Sequence, residues 1–108
     1  MLVIKNIKKL ENYKDENISI SDIQLTYDNT YEIHFKHSSV VGWEFTYVLH
    51  RDISEGKRWV GTIRYKQDGF GTTGSHREDC SKARLRRMDM FIELLDSIII
   101  EFKFKHHI

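Results

Sequence analysis

Four consecutive segments of this chain alternate apolar and polar side chains with a period of two, and this pattern constrains the fold more than any other feature. The segments are residues 23–27, 31–36, 43–50 and 59–66. Successive side chains on a β-strand point to opposite faces of a sheet, so each segment predicts a strand with one apolar face. Short polar links, among them Asp28 and Asn29 and the region around Gly56, favour an antiparallel meander.

One face of the predicted sheet is aromatic and the other is polar. The aromatic residues are Tyr27, Tyr31, Phe35, Trp43, Phe45, Tyr47, Trp59 and Tyr65. We interpret them as core residues, rather than as a platform for stacking nucleic-acid bases, because this much apolar surface needs a cover. The polar residues are Glu32, His34, Lys36, Glu44, Thr46, His50, Arg58, Thr62, Arg64 and Lys66. Cross-strand ion pairs, such as Glu44 with Arg58 or Arg64, would explain that polar face without any ligand.

A long amphipathic helix near the C-terminus supplies the cover. Its apolar stripe follows helical spacing and consists of Leu85, Met88, Phe91, Ile92, Leu95, Ile98, Ile99 and Phe102. Asp79 and Ser81 are good N-cap residues, so we expect the helix to begin near one of them. From Glu101 onward the sequence alternates like a strand, which predicts that the helix ends there. Residues 3–14 predict a short N-terminal helix, although residues 1–4 equally fit a short strand.

These elements predict a single α+β domain over residues 1–108, with a four-stranded antiparallel meander sheet packed on one face by the C-terminal helix. A chain of 108 residues with 40% hydrophobic residues can form one core. The single cysteine, Cys80, excludes an internal disulfide and fits a reducing compartment. No segment resembles a signal peptide or a membrane span, so we expect a cytoplasmic location and no membrane partner.

Basic side chains cluster in the second half of a chain whose formal net charge is only +1. A loop with Gly69, Gly71 and Gly74 is expected to lead from the last strand towards the helix. The candidate nucleic-acid or partner-binding residues are Arg58, Arg64, Lys66, Arg77, Lys82, Arg84, Arg86 and Arg87. Several of these donors together could hold a phosphate backbone. Alternatively, their aliphatic stems cover apolar surface while the charged heads stay in water.

Acidic side chains exceed basic ones in the first half and form a second candidate patch. Its residues are Glu11, Asp15, Glu16 and Asp22. Separate acidic and basic regions on a nearly neutral chain suit a specific protein interface. We therefore predict a small non-catalytic macromolecule-binding protein, first of all a protein-partner inhibitor or accessory of the immunity-protein, antitoxin-like or phage counter-defence type. RNA or DNA binding through the basic patch is the alternative.

Catalytic and metal-binding patterns are weak. His34, His50 and Arg64 on the polar face could serve a small nuclease, since two histidines and a cation suffice for acid–base cleavage. His76 and Cys80 have helical spacing, but no second pair completes a metal site. We therefore predict no catalytic residue, metal or cofactor.

The predicted oligomeric state is a monomer or a homodimer. The strand at residues 23–27 carries little charge and is the edge expected to pair with a second copy. The charges on the strand at residues 59–67 would discourage pairing there.

Overall fold

The computed structural model describes residues 7–26, 30–52, 58–67, 73–79 and 87–108, with the backbone alone for residues 51, 52, 58, 59 and 73–79. Five strands form one antiparallel sheet in the order β1-β2-β3-β4-β5. They are β1 (Ile18–Leu25), β2 (Tyr31–His37), β3 (Trp43–Asp52), β4 (Arg58–Gln67) and β5 (Thr73–Asp79). Helix α1 spans Met88–Lys105, and a 3₁₀ turn at Ile7–Leu10 lies where a short N-terminal helix is predicted. The α+β class, the antiparallel meander and the C-terminal helix are confirmed.

A single hydrophobic core joins the aromatic face of the sheet to α1. The fully buried aromatic residues of that face are Tyr31, Phe35, Phe45 and Tyr47. Trp43 and Tyr65 are half-buried, and their rings lie 5.0 Å and 4.9 Å from the ring of Phe102 on α1. The aromatic face is therefore core, as the sequence predicts. Tyr27 and the side chain of Trp59 lie outside the described residues.

A fifth strand extends the sheet beyond the four that the alternating pattern predicts. Strand β5 pairs with β4 from Lys66 opposite Thr73 to Val60 opposite Asp79. The prediction that residues 59–67 form an edge strand is wrong, because β4 has a neighbour on both sides. The expected loop around Gly74 is likewise a strand in this region. Its sequence, TGSHRED, contains no apolar alternation, so hydrogen bonds to β4, and not a burial pattern, define it.

Helix α1 begins later than the sequence indicates. The prediction of a start near Asp79 or Ser81 is wrong, because Asp79 is the last residue of β5 and the helix begins at Met88. Arg87 occupies the N-cap position and makes no side-chain capping bond. The predicted stripe residue Leu85 lies outside the described residues.

The helix also continues past Glu101, so the prediction of a strand-like end is wrong. It ends in a Schellman motif, in which the N–H of Ile108 donates to the carbonyl of Lys103 at 2.9 Å. His107 occupies the left-handed position of this motif, with φ of 56°. Glycine is the usual residue there, because a side chain makes that conformation costly.

The N-terminal segment covers the outer edge of β1. The N–H of Ile20 donates to the carbonyl of Tyr13 at 2.8 Å. Further along, the Glu11 carboxylate accepts the N–H of Ile23 at 2.9 Å, and the Lys8 ammonium donates to the carbonyl of Ile23 at 2.5 Å. Of the edge predicted to pair with a second copy, residues 23–27, these bonds cover Ile23.

Candidate functional site

The polar face of the sheet is open, and its charged side chains form cross-strand pairs fixed by the strand register. Glu44 on β3 lies opposite Lys66 on β4, and its Oε2 is 3.5 Å from the Lys66 ammonium. Its other oxygen is 3.9 Å from the ammonium of Lys36 on β2. One carboxylate thus lies between two lysines. All three side chains are partly exposed, so these pairs organise the surface more than they stabilise the fold.

A second row crosses the sheet beside the first. Asp22, His34, Thr46 and Arg64 occupy matching positions on β1, β2, β3 and β4. Thr46 Oγ1 and His34 Nδ1 are hydrogen-bonded at 3.0 Å. Arg64 donates to the Glu32 carboxylate at 2.8 Å. The ion pair predicted between Glu44 and Arg64 is therefore replaced by Arg64 with Glu32 and by Glu44 with the two lysines.

These two rows line a shallow cleft of about 470 Å³. Its lining residues are Ser21, Asp22, His34, Phe35, Lys36, Glu44, Phe45, Thr46, Arg64, Tyr65 and Lys66. The cleft lies on rigid strands, and the core packs behind it through the ring of Phe45 against Phe102. Such a surface presents its polar groups in a fixed geometry.

The predicted basic patch is divided by the structure. Arg64 and Lys66 lie in the cleft, whereas Arg87 precedes α1 and donates to Asp89 at 2.8 Å. This bond holds the pKa of Asp89 below its usual range and raises the pKa of Arg87. The backbone positions of Arg58 and Arg77 are opposite Asp52 and Thr62. Lys82, Arg84 and Arg86 lie outside the described residues.

The predicted acidic patch also serves more than one role. Asp15 Oδ1 accepts the N–H groups of Asn17 and Ile18, both at 2.7 Å, and these bonds hold the pKa of Asp15 below its usual range. The Glu11 carboxylate accepts the backbone N–H of Ile23, and this bond likewise lowers the pKa of Glu11. Both carboxylates therefore secure the N-terminal segment. Glu16 is exposed, and only Asp22 of this group lines the cleft.

The two histidines of the nuclease hypothesis are far apart on the open face. His34 is opposite Thr46, and His50 is four residues further along β3, which places their backbones about 13 Å apart. The structure therefore does not place the two histidines side by side on the open face. Within the described residues, no group of three His, Cys, Asp or Glu side chains is arranged to hold a metal ion.

One polar cluster was not predicted from the sequence. His37, at the end of β2, lies with Nε2 3.0 Å from Asp96 on α1, and its Nδ1 accepts the N–H of Ser39 at 3.1 Å. The backbone donor fixes Nδ1 as the acceptor, so Nε2 carries the proton that is donated to Asp96. This bond ties the helix to the sheet. No sequence pattern identifies it, because its two partners are 59 residues apart.

Among the described residues, no helix is long and apolar enough to span a membrane. Comparisons with protein-family models, curated proteins and solved structures give no significant match to this chain.

Proposed function

We propose that this chain is a non-catalytic protein-binding module, and that the cleft on the open face of the sheet is its docking surface. The observation that carries the proposal is the balanced charge of this face. Three cations, Lys36, Arg64 and Lys66, are paired with Glu32 and Glu44, and Asp22 adds a further carboxylate. Alternating charges at fixed positions give a protein interface its register and its selectivity.

The same pairing argues against a nucleic-acid backbone as the main ligand. A phosphate-binding surface gains affinity from cations that release counterions when phosphate replaces them. Here the described cations of the predicted basic patch, Arg64, Lys66 and Arg87, each have a carboxylate of the same chain within 3.5 Å. Phosphate would therefore have to compete with carboxylates that are already in place.

An inhibitor or accessory role, of the immunity-protein, antitoxin-like or phage counter-defence kind, fits a small rigid surface of this type. In such a role binding alone blocks or redirects the partner, so no catalytic group is required. The partner would present charged side chains in an order complementary to the two rows of the cleft.

The experiment is capture of partners from a lysate of the source organism on three immobilised proteins. They are the wild type, Thr46→Arg in the middle of the cleft, and Val41→Arg, whose side chain is 88% exposed outside the cleft. We expect a protein that the wild type and the Val41 variant retain and the Thr46 variant loses. Equal capture by all three would refute docking in the cleft.

A second measurement tests the alternative that the chain binds RNA or DNA. Fluorescence anisotropy of labelled RNA, single-stranded DNA and duplex DNA is followed at about 50 and about 300 mM salt. Flat anisotropy agrees with the proposal. Binding that collapses at the higher salt would favour a nucleic-acid ligand instead.

A further inference from the structure

The polar cluster between the sheet and α1 joins a hydroxyl, an imidazole and a carboxylate in a row. Ser39 Oγ lies 2.8 Å from Nδ1 of His37, and His37 Nε2 lies 3.0 Å from Oδ1 of Asp96. A nucleophile beside a base, with the base oriented by a third group, is the arrangement that activates a serine for attack on acyl groups.

The direction of each hydrogen bond follows from the groups around His37. The N–H of Ser39 donates to Nδ1 at 3.1 Å, so Nδ1 carries no proton. The Ser39 hydroxyl is therefore the donor in its own bond to Nδ1, since two acceptors do not bond to each other. It is also the nearer of the two donors that share this nitrogen. The hydroxyl proton of Ser39 is thus directed at a basic nitrogen.

A tight turn holds Ser39 in this position. The N–H of Val40 donates to the carbonyl of His37 at 3.2 Å, which closes a turn with Ser38 and Ser39 at its centre. Val40 is buried in the core and fixes the end of the turn. Ser39 itself is exposed, whereas the His37 side chain is only 11% exposed. A reagent in solution can reach the hydroxyl, while the base behind it is shielded from water.

We propose that Ser39 is an activated serine and a site of covalent acyl modification, with an ester or a thioester as the acyl donor. Oγ attacks the carbonyl carbon of the donor, the C–O or C–S bond to the leaving group breaks, and an acyl ester of Ser39 forms. Nδ1 of His37 takes the hydroxyl proton and passes it to the leaving alkoxide or thiolate. Each chain takes up one acyl group, so the step modifies the binding module and is not a turnover reaction.

Asp96 is a positioning residue that acts through His37. Its bond to Nε2 fixes the ring, and its charge stabilises the imidazolium that exists while His37 holds the proton. Asp15, on the N-terminal segment, is a second carboxylate whose charge attracts that of His37. The site is separate from the docking cleft, because Ser39, His37 and Asp96 do not line it.

Acetylation of the purified full chain by p-nitrophenyl acetate, followed by peptide mass spectrometry, tests this assignment. We expect one acetyl group on Ser39, and hydroxylamine should release it, because it is an ester. Ser39→Ala should abolish this label, and Ser38→Ala, at the exposed serine beside it, should leave its rate unchanged. His37→Asn should slow the label by about 100-fold or more, the contribution of a positioned general base. The asparagine oxygen still accepts the N–H of Ser39, so the turn is retained.

Asp96→Asn separates positioning from structural support. The asparagine oxygen still accepts the Nε2 proton, but the charge is lost and the imidazolium is less stable. The midpoint of the acetylation rate against pH should therefore move to lower pH, which a mere link between helix and sheet would not cause. An unmoved midpoint would overturn the role of Asp96. A Ser39 that is not acetylated, or that reacts no faster than Ser38 or than in a folded His37→Asn protein, would overturn the proposal.

Discussion

The ring of Tyr47 leaves no room for a side chain at position 61 on β4. Replacing Gly61 with alanine should therefore destabilise the fold. The backbone of Gly61 faces the core opposite Leu49. A Cβ at this position would lie well under 3.0 Å from the Oη, Cζ and Cε1 atoms of Tyr47. Tyr47 has no room to move away, because its ring is fully buried and lies 6.0 Å from the ring of Phe91.

The magnitude follows from two opposing effects. Overpacking a rigid core costs about 1–3 kcal/mol. In a strand where the methyl group fits, alanine is favoured over glycine by about 0.5–1 kcal/mol, because glycine loses more backbone entropy on folding. Gly61→Ala should therefore lower the free energy of unfolding by a net amount of about 0.5–2 kcal/mol in the wild type. In a Tyr47→Leu background, the same change should raise it.

Urea unfolding followed by tryptophan fluorescence measures the four proteins of this double-mutant cycle. A coupling between the two sites of about 2 kcal/mol is the expected result. An equal cost of Gly61→Ala in both backgrounds would refute the reasoning, since the loss would then not come from Tyr47.

Three further predictions concern the ends and supports of the fold. His107→Gly should stabilise the protein by about 1 kcal/mol in urea unfolding, because glycine relieves the left-handed conformation; no gain would mean that His107 carries no strain there. Alanine variants of His37 and Asp96 should show a coupling of about 1 kcal/mol in a double-mutant cycle, and strictly additive losses would disprove the link between sheet and helix. The pKa values of Glu11 and Asp15 are lowered in the folded state, so the unfolded state binds more protons in acid and stability should fall between about pH 5 and pH 2. Glu11→Gln should flatten part of that loss in urea unfolding followed against pH, and an unchanged pH dependence would contradict the assignment to Glu11.

The strands with an apolar face could be predicted from sequence because burial selects alternating residues. The alternating pattern predicts a first strand from residue 23, but β1 begins at Ile18. An irregularity between Ile20 and Asp22 changes the alternation, so Ile18, Ile20 and Ile23 are all buried. A single inserted residue of this kind interrupts the apolar–polar alternation, so the alternation no longer identifies the whole strand.

The bounds of α1 were missed for a related reason. The segment before the helix is rich in polar and basic residues, and such residues fit a strand, a loop or a helix equally well. At the C-terminal end of the helix, Phe102 and Phe104 alternate with polar residues, a pattern that is typical of a strand. In the structure it places one ring in the core and the other on the surface.

The face to which each polar residue belongs could be predicted, but its partner could not. Because side chains alternate between the two faces of a strand, the sequence assigns Glu32, Glu44 and Arg64 to the open face of the sheet. Which carboxylate meets which cation depends on register, and a pattern along one strand does not contain the register. The bond from His37 to Asp96 depends on tertiary packing and leaves no local signal.

The central claim is that the cleft on the open face docks a protein partner, and capture by the wild type, Thr46→Arg and Val41→Arg tests it most directly. The claim predicts a partner retained by the wild type and by the Val41 variant, and lost by the Thr46 variant while that variant remains folded. A Thr46 variant that captures the same protein as the wild type, or a wild type that captures nothing above background, would contradict it.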